Sequence, residues 1–122
     1  MGKFHDDLSD RENLITMIDA CDIVLSYIHG MNQNDFLLDR KTRDACLAQW
    51  IVIGERAAKM SDQLRANHQE VPWTLIVGFK NRGSHSYGTH HFDVSMLWDT
   101  VANDTPKIRK SLAQILESIP KP

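Results

Sequence analysis

The sequence lacks the features that mark several classes of protein. Its first ten residues contain no apolar segment of the kind found in signal peptides, and its longest apolar stretch, ACLAQWIVIG, is too short to cross a bilayer. Two cysteines, Cys21 and Cys46, are too few for a disulfide framework in a chain of 122 residues. We therefore expect a soluble, cytoplasmic protein in which both cysteines are buried free thiols.

The chain also lacks an excess of positive charge. Its formal net charge is −2 and its pI is about 6.3, so any nucleic-acid binding must depend on locally clustered cations. The hydrophobic share of 42% and the charged share of 25% are typical of a globular protein. The length fits one domain spanning residues 1–122, and we expect residues 1–9 and 118–122 to be loosely held.

Apolar residues three and four positions apart predict helices in the first half of the chain. A capping-box pattern at Ser9 and Glu12 predicts the start of a long helix that ends at Gly30. Asn34 is expected to cap a short helix. A second long helix is predicted from about residue 41 to about residue 66, and its interior Gly54 indicates a close contact with another helix.

The second half of the chain continues the helical pattern. Pro72 predicts the start of a third helix, Asp93 that of a fourth, and Thr105 with Pro106 that of the last. The sequence shows no convincing strand, repeat or low-complexity segment. We therefore predict an all-α fold, an up-down bundle of four main helices with short helical pieces.

Residues 79–92, FKNRGSHSYGTHHF, hold three of the six histidines and no acid. A solvated loop is one interpretation and a metal site is another, although the spacing of His85, His90 and His91 matches no zinc pattern and Asp93 is the only acid nearby. Gly83 and Gly88 form no recognised phosphate-binding motif. Each of these interpretations treats the segment as a loop or a ligand cradle.

A further interpretation is acid–base chemistry on a phosphodiester. His85 can transfer protons near neutral pH, and Lys80 or Arg82 can stabilise the charge of a phosphorane. Asn81 and Arg82 precede His85 by four and three residues and are its helical neighbours. Lys80 precedes it by five, about 140° around an ideal helix. Lys80 therefore reaches His85 only if the lysine side chain reaches across or the helix ends or bends first, which Gly83 favours.

Three segments together resemble one protein family. VPWTLIVGFKNRGSHSYG resembles the motif of HEPN domains, and within them of the HepT toxins of minimal-nucleotidyltransferase/HEPN pairs: Arg-x4-His-x-Tyr after an apolar helix containing PW and I-G. FLLDRKTRDACLAQWIVIGERAAKMS is similar to the second long helix of that family. FDVSMLWDTVANDTPKIRKSL is similar to its C-terminal part. The resemblance runs from about Glu12 to Leu116.

The resemblance implies a HEPN-like helical bundle that forms a homodimer, with the two motifs facing each other across a cleft. It implies a metal-independent endoribonuclease without a cofactor, acting as a toxin, with His85 as the catalytic histidine and Asn81 as a supporting polar residue. It further implies that a nucleotidyltransferase antitoxin attaches AMP to Tyr87, whose added phosphate would repel RNA. It gives no membrane partner.

The chain departs from the family pattern at three places. Lys80 stands where the family has arginine and lacks the planar fork that binds phosphate bidentately. Gly83 replaces an apolar residue and is expected to loosen the helix. The segment between Tyr87 and Asp93 is longer than usual. We hypothesise that Arg82 takes over the role of the arginine.

Two alternatives to a ribonuclease stay open. In the first, the chain is a catalytically degraded HEPN protein that serves as a binding subunit of a nucleotidyltransferase, and the departures at Lys80 and Gly83 favour it. In the second, the histidines of a helical bundle bind a metal.

Overall fold

The computed structural model describes the backbone of residues 3–90 and 92–121, and the side chains of residues 9–90 and 92–121. The helices are α1 (Lys3–Tyr27), α2 (Gln33–Leu38), α3 (Arg40–Lys59), α4 (Asp62–Asn67), α5 (Trp73–Ser86), α6 (Val94–Asp99) and α7 (Thr105–Ser118), and a π-helical turn (Thr100–Asp104) joins the last two. The described residues contain no strand, so the all-α prediction is confirmed. The predicted domain boundaries and loosely held ends stay predictions.

The four long helices share one hydrophobic core. Helix α1 packs against α3 and α7, and α3 also packs against α5. Each long helix contributes fully or almost fully buried side chains to this core: Leu14, Met17, Trp50, Ile53, Ile76, Phe79, Leu112 and Ile115. Burying one such side chain stabilises the fold by about 2 kcal/mol. Because α5 and α7 lie apart, a groove remains between them.

Helix α1 begins earlier than the sequence pattern indicates. It starts at Lys3, so Ser9 lies inside the helix and the predicted capping box is wrong. The next residue, Asp10, is only 4% exposed and accepts hydrogen bonds from the Ser61 backbone N–H (2.8 Å) and hydroxyl (2.5 Å). This part of α1 is therefore joined to the junction after α3, a contact that no local pattern reveals.

The helix predicted for residues 41–66 is broken in two. Met60 has an extended backbone (φ −63°, ψ 145°) that ends α3. Ser61 then begins α4, and its side chain accepts a hydrogen bond from the Leu64 N–H at 3.2 Å. The prediction of one helix failed because apolar spacing continues across the junction, whereas the Ser61 cap redirects the backbone.

Other helix starts agree with the sequence, with one exception. Helix α2 is capped by Asn32 rather than Asn34, since the Asn32 Oδ1 accepts the Asp35 N–H at 2.8 Å. Helix α6 begins next to Asp93 as predicted, with Asp93 as its N-cap, and Pro106 lies in the first turn of α7.

The π-helical turn before α7 is fixed by a buried hydrogen-bond chain. The Thr105 hydroxyl donates to the Thr100 carbonyl at 3.0 Å and accepts from the Trp50 Nε1–H at 3.1 Å. Thr105 is fully buried, and Trp50 is 1% exposed. The chain therefore links the turn to the middle of α3.

Both cysteines are buried and free, as predicted. Burial raises the pKa of the Cys21 and Cys46 thiols to about 12. None of the described helices combines the length and apolar character that a bilayer crossing requires.

Candidate functional site

Helix α5 has an inward face and an outward face. Ile76, Phe79 and Gly83 are buried against the core, whereas Asn81 and His85 are exposed. This division follows from the helical repeat, because Ile76, Phe79 and Gly83 recur at steps of three and four residues. The sequence thus places the predicted catalytic histidine on the side of α5 that faces away from the core.

His85 and Asn81 are adjacent on the outward face. They are separated by four residues, and α5 continues past both of them to Ser86. Neither side chain has a hydrogen-bond partner among the side chains that the structure describes, so both polar groups face solvent. Asn81 and His85 therefore share one face of α5, as predicted, because the helix is uninterrupted between them.

Gly83 does not end or loosen α5, so that expectation is wrong. The helix continues through it, and the Tyr87 N–H donates to the Gly83 carbonyl at 3.4 Å. A Cβ atom at position 83 would lie 2.7 Å from the Leu47 Cδ1 on α3. Glycine at this position leaves room for the Leu47 side chain between the two helices.

Lys80 lies half-buried between α5 and α3. A Cβ atom at Gly54 would lie 2.2 Å from the Lys80 Cβ and 2.8 Å from its Cγ, which confirms the close contact predicted at Gly54. Because α5 is unbroken, Lys80 and His85 stay about 140° apart around the helix. Helical geometry therefore does not bring these two predicted site residues to one face.

Arg82 is exposed and lies closer to His85 around the helix than Lys80 does. Its guanidinium carbon is 5.7 Å from the centroid of the Phe79 ring, within the range of a cation–π interaction. Its Nη1 lies 3.7 Å from where a Cβ of Gly78 would be, so the side chain extends toward the N-terminal end of α5. Arg82 has no acidic partner among the described side chains.

Tyr87 caps the C-terminal end of α5 and is joined to α3. Its hydroxyl donates a hydrogen bond to the Asp44 Oδ1, and the Arg40 Nε lies 3.6 Å from the Asp44 Oδ2. Burial raises the pKa of Tyr87 to about 12, and the hydrogen bond and negative charge of Asp44 add to this shift. The phenol is therefore neutral at physiological pH and held in one position.

A row of aromatic rings connects Tyr87 to the core. Ring centroids are 5.4 Å apart for Tyr87 and Phe92, 6.2 Å for Phe92 and Phe79, and 5.5 Å for Phe79 and Trp50, all in edge-to-face arrangements. Such pairs stabilise a fold by about 0.5–1.5 kcal/mol each beyond the burial of their area. Phe92 thus anchors the segment between α5 and α6.

The part of the chain with described side chains contains no group of three or more His, Cys, Asp or Glu residues arranged to hold a metal ion. His85 and His90 are exposed there. His91, the third histidine of the metal interpretation, lies outside the described residues.

A groove of about 400 Å³ runs beside the outward face, between α5, the π-helical turn and α7. Two of its apolar side chains are unusually accessible, since Leu75 is 70% exposed and Met96 is 47% exposed. Arg82 lies at its edge nearest the motif. The outward face of α5 is therefore flanked by apolar surface.

Sequence reasoning missed the role of Asp44 and Leu47. Asp44 binds Tyr87 across 43 positions of sequence, and Leu47 fills the space beside Gly83. Both belong to α3, where their helical pattern looks ordinary. Only the packing of α3 on α5 reveals their connection with the motif.

Comparison with known proteins assigns the chain to one family. The sequence model described as "Ribonuclease HepT-like" matches residues 17–115. A Thermococcus cleftensis protein named "Probable ribonuclease HepT" is 27% identical over 101 residues, which cover 83% of this chain and 90% of that protein.

Two further relatives carry similar names. A Caldanaerobacter subterraneus protein named "Putative RNase" is 24% identical over 107 residues, covering 88% of this chain and 94% of the relative. A Methanocaldococcus jannaschii protein, also named "Putative RNase", is 27% identical over 99 residues, covering 81% and 89% respectively. No solved structure gave a significant match. With a family match across most of its helices, the chain belongs to the HepT-like ribonuclease family of HEPN domains.

Proposed function

We propose that this protein is a metal-independent endoribonuclease, acting in the cytoplasm as the toxin of a type II toxin–antitoxin pair. The observation that carries the proposal is the exposed His85, with Asn81 one turn before it, on the outward face of α5. Both side chains are accessible to a substrate as large as RNA. Membership of a ribonuclease family supports the choice of substrate.

The proposed reaction is a transesterification within the RNA. One His85 imidazole takes the proton of a ribose 2′-hydroxyl, and the 2′-oxygen forms a bond to the adjacent phosphorus. The bond from phosphorus to the 5′-oxygen then breaks, and that oxygen receives a proton from a second acid. Proton transfer of this kind contributes about 10²–10⁴-fold to the rate. Asn81 is positioned to hydrogen-bond the phosphate or ribose.

The charge of the phosphorane needs a cation, and we assign this role to Arg82. Lys80 is a weaker candidate, because its stem packs against Gly54 and its position is about 140° from that of His85. Arg82 is exposed and has no acidic partner among the described side chains. Its long side chain would turn from Phe79 toward the phosphate when RNA binds.

A homodimer would supply the second acid. One protomer presents a single His85 on this face, whereas two α5 helices related by a twofold axis would bring two such histidines together. Two features support this arrangement. Gly78 lies on the outward side, where a Cβ would contact only the Arg82 Nη1 at 3.7 Å, and the exposed Leu75 and Met96 provide apolar surface in the groove next to this face.

The proposed antitoxin is a nucleotidyltransferase that transfers AMP to Tyr87. The Tyr87 hydroxyl lies near the surface at the end of the helix that carries His85. An attached AMP would add negative charge close to the RNA-binding face and would repel phosphates. The modification would therefore silence the ribonuclease.

A second candidate function is a non-catalytic binding subunit of the nucleotidyltransferase. The packing of Lys80 on Gly54 favours it, since the motif cation then serves helix packing rather than phosphate binding. In that case, purified protein would leave RNA intact and would still bind the transferase.

The test compares wild type with His85→Ala for growth arrest on expression and for cleavage of total RNA in EDTA. We expect wild type to arrest growth and cleave RNA, and His85→Ala to lose both activities by about 10²-fold or more. His29→Ala, which removes an exposed histidine after α1, is the matched control and should behave as wild type. Equal toxicity and cleavage by His85→Ala would overturn the proposal.

The choice between the two cations needs separate variants. We expect Arg82→Ala to reduce RNA cleavage by at least about tenfold, as a lost charge-assisted contact to the phosphate would. Lys80→Ala should reduce it less. The reverse order would return the arginine role to Lys80.

A further inference from the structure

The Tyr87 hydroxyl and the Asp44 carboxylate form a surface pair of a nucleophile and a possible base. The hydroxyl donates its hydrogen bond to the Asp44 Oδ1. The Asp44 side chain is 48% exposed, so the pair is open to an incoming molecule. An acceptor in hydrogen-bond contact with the proton to be removed meets the geometric requirement for a general base.

Both members of the pair are held in place by neighbours. The Tyr87 ring packs edge-to-face on Phe92 with centroids 5.4 Å apart, and the Tyr87 backbone N–H donates a hydrogen bond to the Gly83 carbonyl. The Arg40 Nε lies 3.6 Å from the second oxygen of Asp44. The phenol oxygen is therefore presented with its proton already directed at the carboxylate.

A neutral tyrosine hydroxyl needs a base to act as a nucleophile, and the Asp44 carboxylate is in contact with its proton. Burial, with the hydrogen bond and charge of Asp44, raises the pKa of Tyr87 to about 12, so the hydroxyl is a poor nucleophile unless its proton is removed during attack. The carboxylate that favours the neutral phenol at rest is also the group in contact with that proton. Asp44 has no contact with the His85 face among the described hydrogen bonds and ion pairs, so ribonuclease chemistry does not account for it.

We propose that Asp44 is the base that accepts the Tyr87 proton when the phenol oxygen attacks phosphorus. The inference rests on the AMP transfer of the proposed function and adds the group on this chain that assists it. In that transfer, the Tyr87 oxygen forms a bond to the α-phosphorus of ATP, and the bond from that phosphorus to the bridging oxygen of pyrophosphate breaks. Pyrophosphate leaves with the electron pair, and the proton passes to Asp44 and then to water.

A purely structural role for Asp44 predicts the opposite sign. If the carboxylate only holds the phenol, replacing it frees the hydroxyl and removes a cause of its raised pKa, so the tyrosine becomes more reactive. If the carboxylate is the base, replacing it slows the reaction. Asp44→Asn separates the two roles, because the amide oxygen still accepts a hydrogen bond but is a far weaker base.

The first experiment uses the full chain and a small phosphorus electrophile, diisopropyl fluorophosphate, without any transferase. The Tyr87 oxygen bonds to phosphorus, fluoride leaves, and the proton goes to Asp44. Labelling is measured by peptide mass spectrometry, and Tyr27, which is 42% exposed, serves as the internal reference. We expect Asp44→Asn to slow labelling of Tyr87 at least about tenfold and to leave Tyr27 unchanged.

The pH profile provides a second readout. Labelling of wild-type Tyr87 should change little between about pH 6 and pH 9, because the protein itself supplies the group that takes the proton and hydroxide is not needed. In Asp44→Asn the rate should rise with pH, since hydroxide must then remove the proton. Asp44→Glu should restore part of the flat profile, and Asp19→Asn, on an exposed position of α1, should match wild type. Labelling of Asp44→Asn as fast as wild type, or faster, would overturn the inference.

The second experiment adds a nucleotidyltransferase of the kind proposed as the antitoxin, with ATP and Mg²⁺. AMP on wild-type Tyr87, with a loss of at least about tenfold in Asp44→Asn, supports both proposals. Equal AMP transfer to both proteins rejects the role of Asp44 and leaves the proposed function standing. If wild type receives no AMP while its reaction with the fluorophosphate depends on Asp44, the antitoxin proposal fails and the base assignment stands.

Discussion

The two faces of α5 use the same residue types for opposite purposes. On the inward face, Gly83 leaves room for the Leu47 side chain of α3, whose Cδ1 would lie 2.7 Å from a Cβ at position 83. On the outward face, a Cβ at Gly78 would make only an ordinary contact with the Arg82 Nη1 at 3.7 Å. One glycine is therefore explained by packing within the chain, while the other leaves room for something outside it.

The two cations of the helix show the same contrast. Lys80 uses its aliphatic stem to pack against Gly54, whereas Arg82 rests on the Phe79 ring with its charge exposed. Lys80 therefore contributes to the packing of the fold, whereas the Arg82 guanidinium is available for binding. Substitutions on the two faces should separate folding from activity.

The largest effect should come from Phe79→Ala on the inward face. Phe79 is 5% exposed and contacts two other aromatic rings, so its loss should reduce the free energy of unfolding by about 3–5 kcal/mol, measured by urea denaturation. Thr74→Ala, at an exposed position of the same helix, is the control and should change stability by less than about 0.5 kcal/mol. Similar losses for the two variants would contradict the division into faces.

A smaller loss is expected where α3 and α5 approach most closely. Gly54→Ala places a methyl group 2.2 Å from the Lys80 Cβ, and Gly83→Ala places one 2.7 Å from the Leu47 Cδ1. Gly54→Ala should lower the free energy of unfolding by about 1–3 kcal/mol, because the Lys80 Cβ cannot move without its helix. Gly83→Ala should lower it less, because the Leu47 Cδ1 is the end of a side chain that can shift. Gly54→Ala should also disturb Lys80 directly. Thermal denaturation followed by circular dichroism would detect both effects, and unchanged melting would mean that the helices adjust freely.

Gly78→Ala should have a smaller effect of the opposite sign. A methyl group at position 78 meets no close atom of the chain, and alanine favours a helix over glycine by up to about 1 kcal/mol. The variant should therefore melt at a slightly higher temperature than wild type. Destabilisation by Gly78→Ala would show that the outward face is more crowded than its geometry indicates.

The smallest expected effect is a loss of stability caused by ionisation of Tyr87, which occurs only at alkaline pH. The folded-state pKa of Tyr87, about 12, is above the ordinary value of 10, so folding favours the neutral phenol. This contribution to stability is present below about pH 10 and is lost as the pH rises toward 12. The free energy of unfolding of wild type should fall more steeply across that interval than that of Tyr87→Phe.

The comparison with Tyr87→Phe removes a common background. Burial also raises the pKa of the Cys21 and Cys46 thiols to about 12, so their contribution to the free energy of unfolding is likewise lost as the pH rises toward 12. Both thiols are present in wild type and in Tyr87→Phe, so their effect cancels when the two unfolding free energies are subtracted. Parallel curves for wild type and Tyr87→Phe would mean that Asp44 and burial do not hold the phenol neutral.

Much of the fold followed from the sequence, since apolar spacing depends only on the helical repeat. The all-α class, the buried cysteines and the helix start near Asp93 agree with the structure. The failures occurred where a distant contact overrides a local pattern. Asp10 binds Ser61 at the break after α3, and no local signal in either segment indicates that pairing.

The candidate site could be predicted only in part, for a similar reason. Helical geometry was sufficient to make Asn81 a neighbour of His85. Gly83 was misread because glycine weakens an isolated helix, whereas here its lack of a side chain admits Leu47. The role of Asp44 depends on how α3 lies against the end of α5, which a single sequence does not encode locally.

The π-helical turn at Thr100–Asp104 bears on how this protein tolerates changes in chain length. A π-helical turn accommodates one residue more than an α-helical turn while the helices on either side keep their orientation. Removing the exposed Asn103 would let α6 and α7 join as regular α-helix, with the buried face of α7 still on the core. The same deletion within α5 would rotate every later residue of that helix by about 100° and carry His85 off its face. Insertions and deletions should therefore accumulate in the turn and be excluded from α5.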